Sequence, residues 1–250
     1  MAATGSTLDE ALREAQGLGY AEPDPTADLT GRDSAEKLCV LTHRAGWGWI
    51  HPDSVVAQGI TTITAEDVRH ARKQRCVIRL LAEAQRAEDG SASLRVGPCF
   101  VPAAHPLARV AGCENAFEIE AELAGCIYVQ GPGAGPRFTA SAILGDLLSL
   151  ASTRHDPAPA AHAFPRSEPA RRPKAPRRHY IRTDTATTSL DAEALLHSLE
   201  QSGLRIDSLE LRPDRAVIHT MPVTFDAASD LAESLAGGEA DRCLVAPLVE

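Results

Sequence analysis

Apolar residues recur at helical spacing in Leu8, Ala11, Leu12 and Ala15, directly behind Thr7-Leu8-Asp9-Glu10. That pattern predicts a helix opened by a capping box and closed at Gly17 or Gly19. A second helical pattern follows Gly31 and runs to about Ala45, and residues 46–63 read as a connection holding one short strand. Thr64-Ala65-Glu66-Asp67 opens a short helix through Ala71. Alternation over 76–84 and 93–100, around Glu88-Asp89-Gly90, predicts a hairpin; 116–122 and 126–130, around Ala124-Gly125, predict another. Residues 139–151 form an apolar helix. Helices and hairpins are segregated here, which predicts an α+β fold built on an antiparallel or mixed sheet with its helices on one side.

The pattern breaks at 152–178, where six prolines and the cations Arg166, Arg171, Arg172, Lys174, Arg177 and Arg178 predict a stiff, extended, solvated linker. Beyond it the order is strand (180–183), helix (189–202), strand (206–212), strand (216–221), helix (227–236), strand (242–248). This βαββαβ succession is the ferredoxin-like pattern. The expected division is 1–151, a linker at 152–178, and a small domain at 179–250.

Composition narrows the partners. With 250 residues, 44% of them hydrophobic, the chain can bury a sizeable core, and a net charge of −9 speaks against nucleic acid. No apolar run reaches the length of a membrane span, and the first residues lack the pattern of a signal peptide. Six scattered cysteines without C-x-x-C, and nine histidines without H-x-x-x-H, favour a reducing cytoplasmic setting and no metal.

The chemistry concentrates in Gly19-Tyr20-Ala21-Glu22-Pro23-Asp24-Pro25-Thr26-Ala27-Asp28-Leu29-Thr30-Gly31-Arg32-Asp33-Ser34-Ala35-Glu36-Lys37. Pro23 and Pro25 forbid helix around them, so Glu22, Asp24 and Asp28 are expected in one stiff loop. After Gly31, Asp33 is expected to cap the next helix with Glu36 as its reciprocal partner. Asp33 and Lys37, four apart, share a helix face, and the apolar neighbours Ala35, Leu38 and Val40 suggest a half-buried lysine of lowered pKa. A second candidate is Gly131-Pro132-Gly133-Ala134-Gly135, a loop whose amides could approach an anion or ring closely, though it is not a Rossmann fingerprint.

The 19–37 run resembles the catalytic segment of homoserine dehydrogenases, without a gap. The glycine loop, His105-Pro106-Leu107-Ala108 and Glu114-Asn115-Ala116 resemble further segments of that family, so the likeness spans about residues 8–148. It implies NAD- or NADP-dependent interconversion of aspartate semialdehyde and homoserine, in aspartate-family (threonine and methionine) amino-acid biosynthesis. It further implies that Lys37 serves the carbonyl oxygen and Asp33 orients it. Glu22 and Asp28 would surround the substrate amino group, Tyr20 would line the pocket, and Gly131 and Gly133 would approach the nicotinamide. The family's enzymes begin with a Rossmann domain, so a separate nucleotide-binding chain is an expected partner, beside a small amino-acid substrate and a second copy in a homodimer.

The C-terminal pattern is similar to the family's ACT domain. Asp184-Thr185-Ala186-Thr187-Thr188-Ser189 lacks the glycine of that domain's effector turn, which favours a structural or dimerising role. The alternatives are a non-catalytic amino-acid-binding module, and a lysine-dependent enzyme acting on a homoserine-like substrate without nicotinamide.

Overall fold

The computed structural model describes residues 6–152, 170–184, 199, 203–212, 214–236 and 242–249. The predicted helix 189–202 and the turn after Asp184 lie outside the described residues, apart from Leu199, which is buried. Three sheets organise the rest, and the α+β expectation holds. The first is mixed, in the order β1 (Val56–Ala57), β3 (Ala92–Pro102), β2 (Cys76–Arg86), with β1 parallel and β2 antiparallel to the central strand. α3 (Arg32–Arg44) buries Ala35, Leu38 and Cys39 against Leu94 and Val96 on this sheet and Ile50 in the connection before β1. α4 (Ala65–Lys73) starts where the sequence predicts, with a capping box in which Thr64 is the N-cap and Asp67 its reciprocal member.

The second sheet is the ribbon of β4 (Glu114–Ala121) and β5 (Gly125–Pro132), and it leads into α5 (Pro136–Ser152). β5 is longer than its sequence pattern suggests: Gly131 and Pro132 still pair with Asn115 and Glu114. The helix begins three residues early because a proline at its first position has no amide to lose. Neither element has a buried face. Phe117, Ile119, Ile127 and Val129 on the ribbon, and Ile143, Leu144, Leu147 and Leu148 on α5, are all exposed.

The third sheet has the order β7 (Ile206–Arg212), β8 (Arg215–Thr220), β6 (His179–Asp184), β9 (Cys243–Pro247), every neighbour antiparallel. This is the arrangement that a split βαββαβ succession produces. α6 (Phe225–Leu235) covers one face, where Ala228, Leu231 and Ala232 meet Ile181, Ile218 and Val245. The opposite face packs on the N-terminal half: Tyr180, Leu244 and Ala246 join Ala71, Cys76 and Phe100 in one core. Past β9, Leu248 bridges to Phe100, and Val249 donates its amide to the Phe100 carbonyl at 2.9 Å.

The described part of the 152–178 segment is largely exposed, as expected, but it is also stitched down. Ala170–Arg178 crosses both halves, and its cations find acids on each: Arg171 pairs with Asp89, Arg172 with Asp226, Arg177 with Glu83 and Arg178 with Asp207. Proline stiffness made an extended path legible, but the destination of the charges was not.

Candidate functional site

The site region starts with α1 (Leu8–Gly17), whose Thr7–Glu10 capping box forms as the sequence predicts. From its end the chain turns through Gly19, at φ 75°, and the Gln16 side-chain amide donates to the carbonyl of Glu22 at 3.0 Å. Tyr20 and Glu22 stand exposed on this turn. Asp24 then fixes the entry to Thr26, its Oδ1 accepting from the amide and hydroxyl of that residue at 3.1 and 2.6 Å; those bonds hold its carboxyl below the usual range.

Here the structure corrects the sequence reading. Thr26–Thr30 is a one-turn helix, α2, not a continuation of the loop, so Asp28 is helical and exposed. Gly31, with φ 80° and ψ 7°, closes α2 in the left-handed region and serves at once as the N-cap of α3. That shared glycine displaces the expected Asp33–Glu36 capping box. Asp33 becomes a first-turn residue inside the helix, where its charge complements the helix dipole, and Glu36 turns to Arg32 Nε at 2.9 Å.

The pairing of Asp33 with Lys37 does form. Asp33 Oδ2 lies 2.6 Å from Lys37 Nζ, with side chains 38% and 65% exposed. Lys37 is therefore not half buried. Ala35, Leu38, Cys39 and Thr42 make the stripe that faces the core, and at 100° per residue Lys37 falls on the opposite side of the helix. The desolvation expected around the lysine does not come from the described residues. Instead the structure offers a preformed ion pair at a surface, and Val40 and Leu41 are exposed one turn further on. Among the described residues, no hydrogen bond or ion pair ties Tyr20, Glu22 or Asp28 to Lys37; they line the neighbouring turn and α2.

The glycine loop has its own tight geometry. Gly133 donates its amide to the Cys113 carbonyl at 2.7 Å, and a Cβ there would fall 2.2 Å from Asn115 Nδ2. Gly135 has φ +116°, a conformation that side-chain-bearing residues rarely adopt. A Cβ on Gly131 would meet open space, so no packing demand accounts for that glycine. The loop thus presents backbone bare of side chains at Gly131 and Gly133, with the Asn115 side chain lying against Gly133.

Some of the residues that hold the region together escaped the sequence reading. Gly59 runs so close beneath α2 that a Cβ would sit 2.3 Å from the Leu29 carbonyl oxygen, while Ile60 donates to that same carbonyl at 2.9 Å. Asp67 is fully buried: Oδ1 accepts from Tyr180 Oη at 2.7 Å, and Oδ2 accepts from the amide and hydroxyl of Thr64, each at 2.8 Å. Arg182 Nε sits 3.0 Å from Oδ1 at an angle too bent for a hydrogen bond, so this contact is one of charge. The only signal in the sequence was the Thr64–Asp67 spacing, which reads as a cap.

Comparison with known proteins places the arrangement. The homoserine dehydrogenase family model matches residues 1–148. The homoserine dehydrogenase of Mycobacterium leprae is 46% identical over 158 residues, which is 62% of this chain and 36% of that protein. An NAD(+)-dependent homoserine dehydrogenase of Pseudomonas canavaninivorans is 38% identical over 146 residues, 58% of this chain and 42% of its own length. The crystal structure of a homoserine dehydrogenase from Thiobacillus denitrificans superposes with a TM-score of 0.79 at 30% identity, covering 100% of this chain and 60% of that one. The fold is thus that of the larger, α+β part of an oxidoreductase subunit. The chain belongs to the homoserine dehydrogenase family, and it spans 36% of the length of the Mycobacterium relative and 60% of the Thiobacillus structure.

Proposed function

We propose that this chain is the substrate-binding and acid–base portion of a homoserine dehydrogenase, interconverting aspartate semialdehyde and homoserine with a nucleotide-binding domain contributed by a separate chain. The observation that carries this reading is the Asp33–Lys37 pair, already closed at 2.6 Å on the open side of α3. In the reductive direction the aldehyde oxygen gains negative charge as its carbon is reduced. Lys37 Nζ supplies the proton to that oxygen, and Asp33 holds the ammonium in place and stabilises its charged form. Glu22 and Asp28 would take the substrate ammonium, and Tyr20 would lie along the carbon chain. Bound NAD or NADP would supply or accept the hydride, against Gly131 and Gly133.

We further read residues 1–151 as the catalytic unit, 152–178 as the linker and 179–250 as a structural ACT-like unit. A second copy would cover the apolar face of the β4–β5 ribbon, since an isolated two-stranded ribbon is marginal in water. The test is nicotinamide reduction with homoserine, with NAD and NADP in parallel, for the chain alone and mixed with a nucleotide-binding domain of the family. Turnover that needs both components and disappears in Lys37→Ala supports the reading. Homoserine binding by a folded chain with no turnover in any mixture would overturn it in favour of a binding module.

A further inference from the structure

α4 meets the C-terminal sheet through two histidines. His70 on α4 and His219 on β8 stack with ring centroids 4.9 Å apart and planes 21° apart, and their Nε2 atoms lie 2.7 Å from each other. A neutral imidazole carries one donor and one acceptor nitrogen, so this contact holds a single shared proton. A second proton would set two N–H donors against each other. The Tyr180 ring flanks both, 5.0 Å from His70 and 5.5 Å from His219.

We propose that the His70–His219 pair is an acid-sensitive latch that seats α4 on the C-terminal sheet and, through residues 58–64, holds α2 beside the lysine helix. The route is continuous. Arg182 on β6 donates to the Thr62 carbonyl at 2.5 Å, Gln58 donates to the Cys243 carbonyl on β9 at 3.4 Å, and between them Ile60 bonds to Leu29 on α2. α4 is seated by this pair together with the Tyr180–Asp67 bond and the Glu66 pairs with Arg212 and Arg215, so loss of the histidine contact loosens the far end of the segment without releasing it.

The surroundings of the pair favour its neutral form. Burial pushes His219 down to about 4; His70 and Arg178 act in the same direction, and Asp207 on β7 opposes them. Burial also lowers His70, aided by Lys73 and opposed by Glu210 on β7 and by Asp67 and Glu66 on α4 itself. Folding therefore keeps the rings deprotonated more strongly than the unfolded chain does. The stability they contribute is complete above the ordinary value of 6.5 and is lost as pH falls from there through about 4. The buried carboxylate Glu83 acts in a lower window. Burial would raise it, but Arg177 and Arg95 more than reverse this, so its contribution fails only below the usual 4.5.

The latch stands on the contact alone; its bearing on a site rests on the proposed function, so the test involves no turnover. Histidine ring resonances and amide exchange would be followed in the full chain from about pH 8 to pH 4, for wild type and His219→Gln. The assigned His70 and His219 rings both titrating below 6.5, with the Ile60 and α4 amides losing protection relative to the variant across that window, support the latch; His179, also buried and held down to about 4, is told apart by assignment. In His219→Gln, His70 should titrate higher than in the wild type, because a second N–H on its ring no longer faces another imidazole. Wild-type rings that all titrate near 6.5, or parallel pH profiles of exchange in the two proteins, would overturn it. Should the variant fail to fold, the wild-type ring titration decides by itself.

Discussion

Lys37 and Asp33 form a pair whose worth to folding is small and to which the proposed function gives the acid–base chemistry. Both side chains are substantially exposed, so the ion pair contributes about 0.5 kcal/mol or less to stability. Lys37→Ala should leave the thermal midpoint almost unmoved while lowering kcat of the assembled enzyme by roughly 10²–10⁴-fold, the range for a removed general acid. Asp67 is the reverse case. It sits at zero exposure, so Asp67→Ala leaves the buried Tyr180 hydroxyl and the Thr64 cap without their acceptor and Arg182 with Asp184 as its remaining acid, and should cost about 2–4 kcal/mol, read from denaturant unfolding. The 19–37 run made the first pair legible because i, i+4 spacing on a helix is local geometry. The second was not legible, because residues 67 and 182 meet only through tertiary packing. Lys37's exposure was not legible for a related reason: Ala35 and Leu38, its neighbours in sequence, lie on the far side of the helix, and Val40 is itself exposed.

At the scale of elements, capping boxes and hairpins were readable from short motifs, and the boundaries moved where one residue serves two elements. Gly31 is the clearest instance, ending α2 and starting α3 with a single left-handed residue. Gly59 makes the neighbouring constraint testable. Its missing Cβ lets backbone lie against backbone, with the Leu29 carbonyl oxygen and Thr30 Cα both inside contact distance of any added methyl. Gly59→Ala should destabilise by about 1–3 kcal/mol, measured as a drop in the denaturant midpoint. It should also shift the amide resonances of α2, because the methyl pushes against the element that carries Asp28. A silent substitution would show that the segment can move aside, and with it that α2 is not held from below.

For the molecule as a whole, the α+β class and the strand succession of the C-terminal sheet were legible, since period-2 runs and turn residues report on each strand separately. What stayed hidden was how the halves join. The apolar faces of the β4–β5 ribbon and α5 have no cover among the described residues, and their burial calls for association. Phe117→Glu together with Ile119→Glu should shift sedimentation to smaller species if a second copy covers the ribbon. An unchanged distribution would place self-association elsewhere. The seam between the halves has a different consequence. A shared core around Phe100 and Tyr180, the Asp67–Arg182 contact, and cations of residues 170–178 answered by acids on both sides hold the two pieces together without relying on the intervening peptide. Residues 1–152 and 170–250, produced as two polypeptides, should therefore find each other and rebuild the native assembly, much as complementing fragments do. The covalent chain here sets the partners' effective concentration, while the interface sets their fit.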